Sequence, residues 1–403
     1  MSACETVVIE GHIIDSLTLA KVMDLILAAG ADYQVGDVEI GRTSADVSRA
    51  RIEVVAADEV ALEALLVELQ AHGANRLAQA DAELVVADLD GVLPAGFYST
   101  TNLATSVRLA GRWITVDNPE MDCGVVVDGG GRARTAPMHR VRVGDRVVVG
   151  HGGIRVTPPA RPRTGGSFEF MNSEVSSEKP KGLLVAEVAA RLRRVHAAGA
   201  RILLVCGPAV IHTGAGPAVA RLVREGWVDV LFAGNGFATH DLESNVLGTS
   251  LGVPVSAGTA GDGGHANHLR VINEVRRHGS IAAAVEAGYV NSGVMVECLR
   301  RGVPVVLAGS IRDDGPLPDV ITDVVAAADA MRAQLPGVGA ALMLATTLHA
   351  IATGNCLPAG VETFCVDINA AVATKLADRG SHQALGIVTD VGLFVDGLCR
   401  ELC

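Results

Sequence analysis

Aromatic side chains are scarce, with seven Phe, three Tyr and two Trp making up 3% of 403 residues. The core must therefore be built from Val, Leu, Ile and Ala, and nucleic-acid bases would find few rings to stack on. Charged residues are thin as well, at 19%, and tilt acidic to a net charge of −12. There is no basic cluster. This balance weighs against a nucleic-acid partner and is compatible with a small cationic substrate. The eight cysteines (Cys4, Cys123, Cys206, Cys298, Cys356, Cys365, Cys399 and Cys403) include no CxxC and no Cys/His spacing typical of zinc, so no metal is expected. Cys206 and Cys365 lie in apolar strand-like runs and read as reduced core thiols. The opening MSACETVVIEGH lacks the basic-then-apolar profile of a signal peptide. Apolar runs such as VGAALMLATTLHAIATG are interrupted by Thr, His and Gly and fall short of a membrane span. A soluble cytoplasmic protein is expected.

What is present is a 49% hydrophobic content rich in Ala, Val and Gly, enough for two or three domains. Residues 1–95 read β-α-β-β-α-β. TVVIEGHII is a strand, and the helix from Asp15 sets Leu19, Val22, Met23 and Ile26 on one face. VGDVEIGR and RIEVVA are short strands. A second helix aligns Leu62, Leu65, Leu66 and Leu69, and AELVVADL closes the set. That order suggests a ferredoxin-like module, a type that commonly binds small ligands or dimerises, so a homo-oligomer is expected. Residues 96–174 carry short strands punctuated by Gly and Asp, a small β unit followed by the linker TPPARPRTGGS. Residues 175–403 alternate strand and helix. ARILLVCG, VDVLFAG, VPVVLAG, ETFCVDI and LGIVTDV are the strand-like runs, as in a doubly wound, mainly parallel sheet.

In such a sheet the crevice beyond the carboxyl ends of the strands is where ligands bind. Asn235, Asp314, Asp367 and Asp390 all follow buried runs and should converge there. The stretch VDVLFAGNGFATHDLESNVLGTSLG reads as a strand breaking into a loop that holds Asn235, His240, Asp241 and Glu243. Gly214-x-Gly216 before a helix suits a phosphate on the helix N-terminus, or a plain Gly-rich turn. Asp367 suits the hydroxyls of a ribose, or a helix cap. His349, in an almost wholly apolar helical segment, reads first as a satisfied core residue, and so do His265 and His268. Two polar stretches stand outside the sheet. DNPEMDCG places Glu120 and Asp122 beside Cys123, and FEFMNSEVSSEKPKG gathers Glu174, Glu178, Lys179 and Lys181.

The stretches FYSTTN, NPEMDCG, FEFMNSEVSSEKPKGLL, LFAGNGFATHDLE, LAGSIRDDGPLPDVITD, LATTLHAIATGN and VDINAAVATKLADRGSHQALGIVTDVGLF together resemble the archaeal-type ornithine cyclodeaminase family. That family carries a conserved region of lysine-oxoglutarate reductase/saccharopine dehydrogenase. It is similar to the C-terminal half of the cyanobacterial arginine dihydrolase/ornithine cyclodeaminase. The resemblance spans nearly the whole chain. It implies NAD held in a Rossmann-like last domain similar to that of deoxyhypusine synthase. The contacts it implies fall at Asn235, Gly236, Asp314, Thr346, Thr347, Leu348, His349, Asp367, Asp390 and Val391. Gly236 and Thr347 depart from the family's Ala and Met. The implied reaction turns L-ornithine into L-proline and ammonia, the hydride leaving the α-carbon for NAD and returning to the cyclic imine. For it, Asp314 is the acid expected nearest the nicotinamide, Glu120 or Asp122 the partner of the δ-amine, and Lys179 or Arg312 the holder of the carboxylate. An NAD-dependent dehydrogenase of a saccharopine-like or opine-like amino acid, and a non-catalytic NAD-binding sensor, are the alternatives.

Overall fold

The computed structural model describes residues 2–14, 18–42, 46–77, 80–157, 175–176, 181–250, 253–254, 266–313, 315–372, 375 and 384–403. They form two compact units, residues 1–172 with 357–360, and residues 173–356 with 361–403.

The first unit opens with a four-stranded antiparallel sheet in the order β2-β3-β1-β4, formed by β1 (Ala3–Gly11), β2 (Asp32–Glu39), β3 (Ser48–Ala56) and β4 (Ala74–Arg76). Along β3 the even positions are buried and most of the others are exposed, the period-two signature of a half-covered sheet. Helices α1 (Thr18–Ala28) and α2 (Glu59–Ala71) cover it with Val22, Ile26, Leu62, Leu65, Leu66 and Leu69. Asp58 caps α2, its carboxylate accepting the amide hydrogen of Ala61 at 2.9 Å. This is the ferredoxin-like order read from the sequence, with one correction. The closing strand is the short β4, which starts straight after the turn at Gly73 (φ +87°). The run expected to close the set supplies β5 (Glu83–Val86), which pairs with another sheet. Alternation marks a strand but not its partner.

That other sheet has the order β11-β6-β7-β9-β8-β10-β5. Its further strands are β6 (Ala104–Leu109), β7 (Arg112–Asp117), β8 (Gly124–Val127), β9 (Ala133–Ala136), β10 (Arg146–Val149) and β11 (Ile154–Thr157). Ala110 and Gly111, both at positive φ, make the tight hairpin between β6 and β7. The two sheets of this unit are joined by side-chain amides. Gln70 donates to the Ile154 carbonyl at 3.0 Å, while Asn75 donates to the Val156 carbonyl and accepts its amide hydrogen, both at 2.8 Å.

The second unit is a doubly wound α/β domain on a seven-stranded parallel sheet, in the order β12-β20-β19-β18-β13-β14-β17. Its strands are β12 (Val175–Ser176), β13 (Arg201–Cys206), β14 (Val230–Gly234), β17 (Val305–Ala308), β18 (Val338–Leu344), β19 (Glu362–Asp367) and β20 (Ala384–Val388). A small pair, β15 (Thr249–Ser250) and β16 (Val253–Pro254), lies apart. The helices are α3 (Lys181–Ala197), α4 (Ala209–His212), α5 (Gly216–Arg224), α6 (Asn235–Leu247), α7 (Asn267–His278), α8 (Ile281–Glu286), α9 (Val294–Arg301), α10 (Val324–Ala333), α11 (Leu348–Cys356) and α12 (Val391–Leu402). The strands are nearly wholly buried, as strands covered on both faces must be. Cys206 and Cys365 are free thiols inside them, and burial pushes the Cys365 thiol up to about 12.

Two expectations are corrected here. The run 338–356, absent from the five expected strands, is the strand β18 followed by α11. A wholly apolar run does not distinguish a buried strand from a buried helix. The polar stretch after β14 is no loop but the helix α6, buried from Phe237 to Glu243. A helix enclosed on all sides shows no amphipathic stripe, so its period is hidden. Among the described residues no helix is long and apolar enough to cross a membrane.

Candidate active site

From β13 the chain winds outward through β14 to β17, then crosses back to β18 and winds the other way through β19 to β20. The reversal falls between β13 and β18, and in open α/β sheets the crevice that takes ligands lies outside the carboxyl ends of the strands at such a switch point. The two chains leave their strands in contact. Gly207 donates its amide hydrogen to the Leu344 carbonyl at 2.9 Å, and a Cβ on Gly207 would lie 1.9 Å from the Ala345 carbonyl oxygen. Only glycine fits there. Ala345 itself turns at φ +47°, releasing Thr346, Thr347, Leu348 and His349 along the edge.

His349 leans back across the end of β14. The ring lies 3.0 Å from where a Cβ of Gly234 would stand. Burial pulls its pKa below the ordinary value, and a hydrogen bond to the Ala233 backbone opposes that pull in part. Its Nε2 is buried and has no hydrogen-bond partner. An unpaired buried imidazole nitrogen costs about 1–3 kcal/mol unless a bound group or a water completes its bonding. Its setting in the sequence had offered a satisfied core histidine, and the family resemblance an NAD contact.

Asn235 opens α6, buried, with its side-chain oxygen accepting the Leu317 amide hydrogen at 3.0 Å. This ties the loop after β17 to the end of β14. Gly236 is in the first turn of α6 with an ordinary helical backbone, and its close neighbour is Pro208, 3.1 Å from a Cβ placed on it. In the loop after β17, Ser310 donates its amide hydrogen to Asp313 at 2.8 Å, and Arg312 is exposed. Asp314 lies outside the described residues, as does Lys179.

At the end of β19, Asp367 accepts the Asn369 amide hydrogen through Oδ1 at 2.8 Å. Asp390 caps α12 by accepting from Leu393 at 2.9 Å, and Val391 is buried behind it. Both carboxylates therefore hold the backbone at the edge, the role the sequence offered Asp367 as one of two. The start of α12 abuts the loop after β13, since a Cβ on Gly392 would stand 3.2 Å from Thr213. In that loop Gly214 sits at φ +81° and Gly216 begins α5. The second unit thus assembles Asn235, Gly236, the 346–349 turn, Asp367, Asp390 and Val391 on one sheet edge. Glu120 and Asp122 belong to the first unit. There Glu120 is buried and Asp122, at φ +60°, is exposed, their loop pinned by Thr100, which bonds the Glu120 carbonyl and the Asp122 and Cys123 amides.

Sequence reasoning picked out His240 and Glu243 but missed the residue they meet. His212, at the end of α4, meets His240 of α6 at 4.7 Å between ring centroids, and His240 bonds Glu243 at 3.1 Å. For His212 the only sequence signal was a histidine in the Gly-rich turn after a central strand.

Three family models match consecutive stretches of the chain. They are the LOR/SDH bifunctional enzyme conserved region over residues 4–103, the arginine dihydrolase ArgZ-like C-terminal first region over 104–185, and the arginine dihydrolase ArgZ-like C-terminal Rossmann fold over 186–398. The chain is 53% identical over 401 residues to a Methanocaldococcus jannaschii protein named ornithine cyclodeaminase, spanning 98% of this chain and 95% of that one. It matches the apo structure of ArgZ, an arginine dihydrolase from the cyanobacterial ornithine-ammonia cycle. That match has a TM-score of 0.86 and 37% identity, over 100% of this chain and 58% of that one. The ternary complex of AgrE with ornithine and NAD+ matches at a TM-score of 0.54 and 42% identity, over 100% of this chain and 57% of that one. With a switch point in the sheet, an unpaired imidazole at its carboxyl edge and this likeness from end to end, the chain belongs to the ornithine cyclodeaminase family.

Proposed function

We propose that this protein is an NAD-dependent ornithine cyclodeaminase, forming L-proline and ammonia from L-ornithine with no net consumption of NAD. The observation that carries the reading is His349, whose Nε2 is buried and unpaired at the carboxyl edge of the sheet. A polar atom left in that state fits a bound group that completes its bonding.

The residues proposed to hold NAD are Asn235, Gly236, Asp314, Thr346, Thr347, Leu348, His349, Asp367, Asp390 and Val391. The described ones suit the group. Gly207 keeps the crevice floor free of a side chain where β13 and β18 part. Asp367 uses Oδ1 for its own turn, and its second oxygen remains to accept ribose hydroxyls. NAD, when bound, supplies a hydride acceptor that can also return the hydride. The chain must then hold a cationic amino acid against it and move protons on and off nitrogen. Arg312, exposed on the loop after β17, is the described cation best placed on this edge to hold the substrate carboxylate. AgrE, a protein solved with ornithine and NAD+, supports the choice of substrate and cofactor.

The test is an incubation of the purified protein with L-ornithine and NAD far below the substrate concentration. Proline and ammonia should form in equal amounts over many turnovers per NAD, with no build-up of NADH. Steady accumulation of NADH would identify an amino-acid dehydrogenase instead. NAD binding without any product would identify a sensor.

A further inference from the structure

Beside the crevice, α4 and α6 enclose a chain of polar groups that the cofactor reading leaves unused. Glu243 is fully buried. Its Oε2 meets His240 Nδ1 at 3.1 Å, and its Oε1 accepts the Thr249 hydroxyl at 2.8 Å. Thr249 in turn accepts from the Asn267 amide at 3.0 Å. The His240 ring, 7% exposed, stacks obliquely on His212, and the His212 Nδ1 bonds the Ser250 hydroxyl at 2.7 Å. His212 differs from the rest in being exposed, and among the described residues its other nitrogen carries no hydrogen bond. The chain thus runs from a closed carboxylate to an open imidazole.

Its location follows from the topology. Helix α4 begins two residues after Gly207, on the rim of the crevice, and α6 begins at Asn235 on the next strand end. The residue after His212 is Thr213, which abuts the start of α12 at Asp390–Gly392. His212 therefore stands beside groups proposed above to hold the cofactor. The other titratable groups around it are His268, 6.3 Å from His240 between centroids, and Asp241, which faces away to cap α9. Among the described residues no three His, Cys, Asp or Glu are grouped to hold a metal ion.

We infer that His212 is the acid–base group of the reaction, with His240 and Glu243 as positioning residues behind it. This rests on the function proposed above. Ornithine binds with its α-nitrogen as an ammonium, which has no lone pair to support loss of hydride from the adjacent carbon. The N–H bond breaks, the electron pair stays on nitrogen, and the proton passes to the open nitrogen of His212. After ring closure the same proton returns to that nitrogen as the C–N bond breaks, its electron pair leaving with ammonia. That proton is borrowed from the α-nitrogen and returned to it. The δ-ammonium loses one proton to water before its lone pair attacks, and the ring nitrogen loses a second as the imine forms; the reduced ring nitrogen and the released ammonia take up two in their place. Glu243 accepts the Nδ1 hydrogen of His240, which fixes that ring's tautomer, and its negative charge favours the protonated form of the neighbouring His212. Partial loss of solvent around the ring and the nearness of His240 push the other way and hold His212 below its ordinary pKa, the direction that suits a proton acceptor.

Steady-state kinetics over a pH series, with NAD affinity measured separately by fluorescence titration, test the assignment. His212→Asn should lower kcat for proline formation by about 100-fold or more. Its NAD Kd and ornithine KM should stay within about threefold of wild type, and added imidazole should restore part of the rate. Glu243→Gln should move the acid limb of kcat to lower pH, because a neutral amide no longer favours the imidazolium. A His212→Asn enzyme with kcat within threefold of wild type overturns the assignment, and so does an acid limb unmoved in Glu243→Gln. A wild-type enzyme that makes no proline overturns the functional reading itself, a result distinct from both.

Discussion

The amide of Met295 at the start of α9 donates a 2.9 Å hydrogen bond to Asp241 on α6, a carboxylate only 1% exposed. Val294 donates to the other oxygen at 3.0 Å, and Gly293 passes over it at φ +115°. One side chain of a buried helix thus supplies the cap that α9 lacks on its own.

That cap is sensitive to pH. Burial pushes the Asp241 carboxyl up to about 6, and the two amide bonds offset only part of the push. A carboxyl raised in the folded state binds its proton there while the unfolded chain has already lost it. Its contribution is therefore full below about pH 4 and is lost as pH rises through about 6. Urea titrations should show the wild-type advantage over Asp241→Asn shrinking by roughly 1 kcal/mol between pH 5 and pH 7. An advantage that grows with pH would mean that the amide bonds outweigh burial.

Gly207→Ala tests the floor of the crevice. Its Cβ would lie 1.9 Å from the Ala345 oxygen and 2.8 Å from the carbon that carries it, backbone atoms that cannot swing aside. A clash of this kind costs about 3 kcal/mol or more. Gly360→Ala, where nothing lies within 4 Å, is the control and should leave Tm almost unchanged. Equal melting temperatures for the two variants would refute the close approach.

Asp367 and Asp390 should separate binding from folding. Asp367→Ala is expected to raise the NAD Kd by about 10- to 100-fold, the scale of charge-assisted bonds to ribose, with a small loss of stability. Asp390→Ala should also weaken NAD binding, and because it removes the acceptor for Leu393 at the head of α12 it should in addition cost roughly 1 kcal/mol of stability. Titration and thermal melts on both variants read the contrast. If Asp367→Ala melts early and binds NAD normally, its turn with Asn369 is its whole purpose.

His349→Phe should leave the free protein within about 1 kcal/mol of wild type, because the unpaired Nε2 disappears together with the bond to Ala233. NAD affinity should fall at least tenfold. A variant that melts far below wild type would show that the Ala233 bond dominates.

Much of the edge was legible because a buried parallel strand writes itself as an apolar run and ends where the chain meets the crevice. Asn235, Asp367 and Asp390 stood out for that reason. The same logic failed for β18, the strand that creates the switch point, since nothing polar divides it from the apolar turns of α11. It failed again for α6, whose polar residues looked like a surface loop. His240, Asp241 and Glu243 are buried there because each finds its partner on α4, α9 or β15, the first two remote in sequence and the third just past the end of α6. The pairing of β5 with β10 was hidden in the same way. Spacing along a chain carries no information about contacts made across it.

The side chain of Asn75 bonds both the amide and the carbonyl of Val156. β11 is the outermost strand of its sheet, and an outermost strand offers a bare ladder on which another molecule can grow. A carboxamide presents one donor and one acceptor side by side, as a peptide group does, so Asn75 stands in for the missing neighbour. The ferredoxin-like module thereby shields its companion from edge-to-edge polymerisation. Cut away from that module, the β unit would be left with a sticky border, and its solubility is bound to the company it keeps.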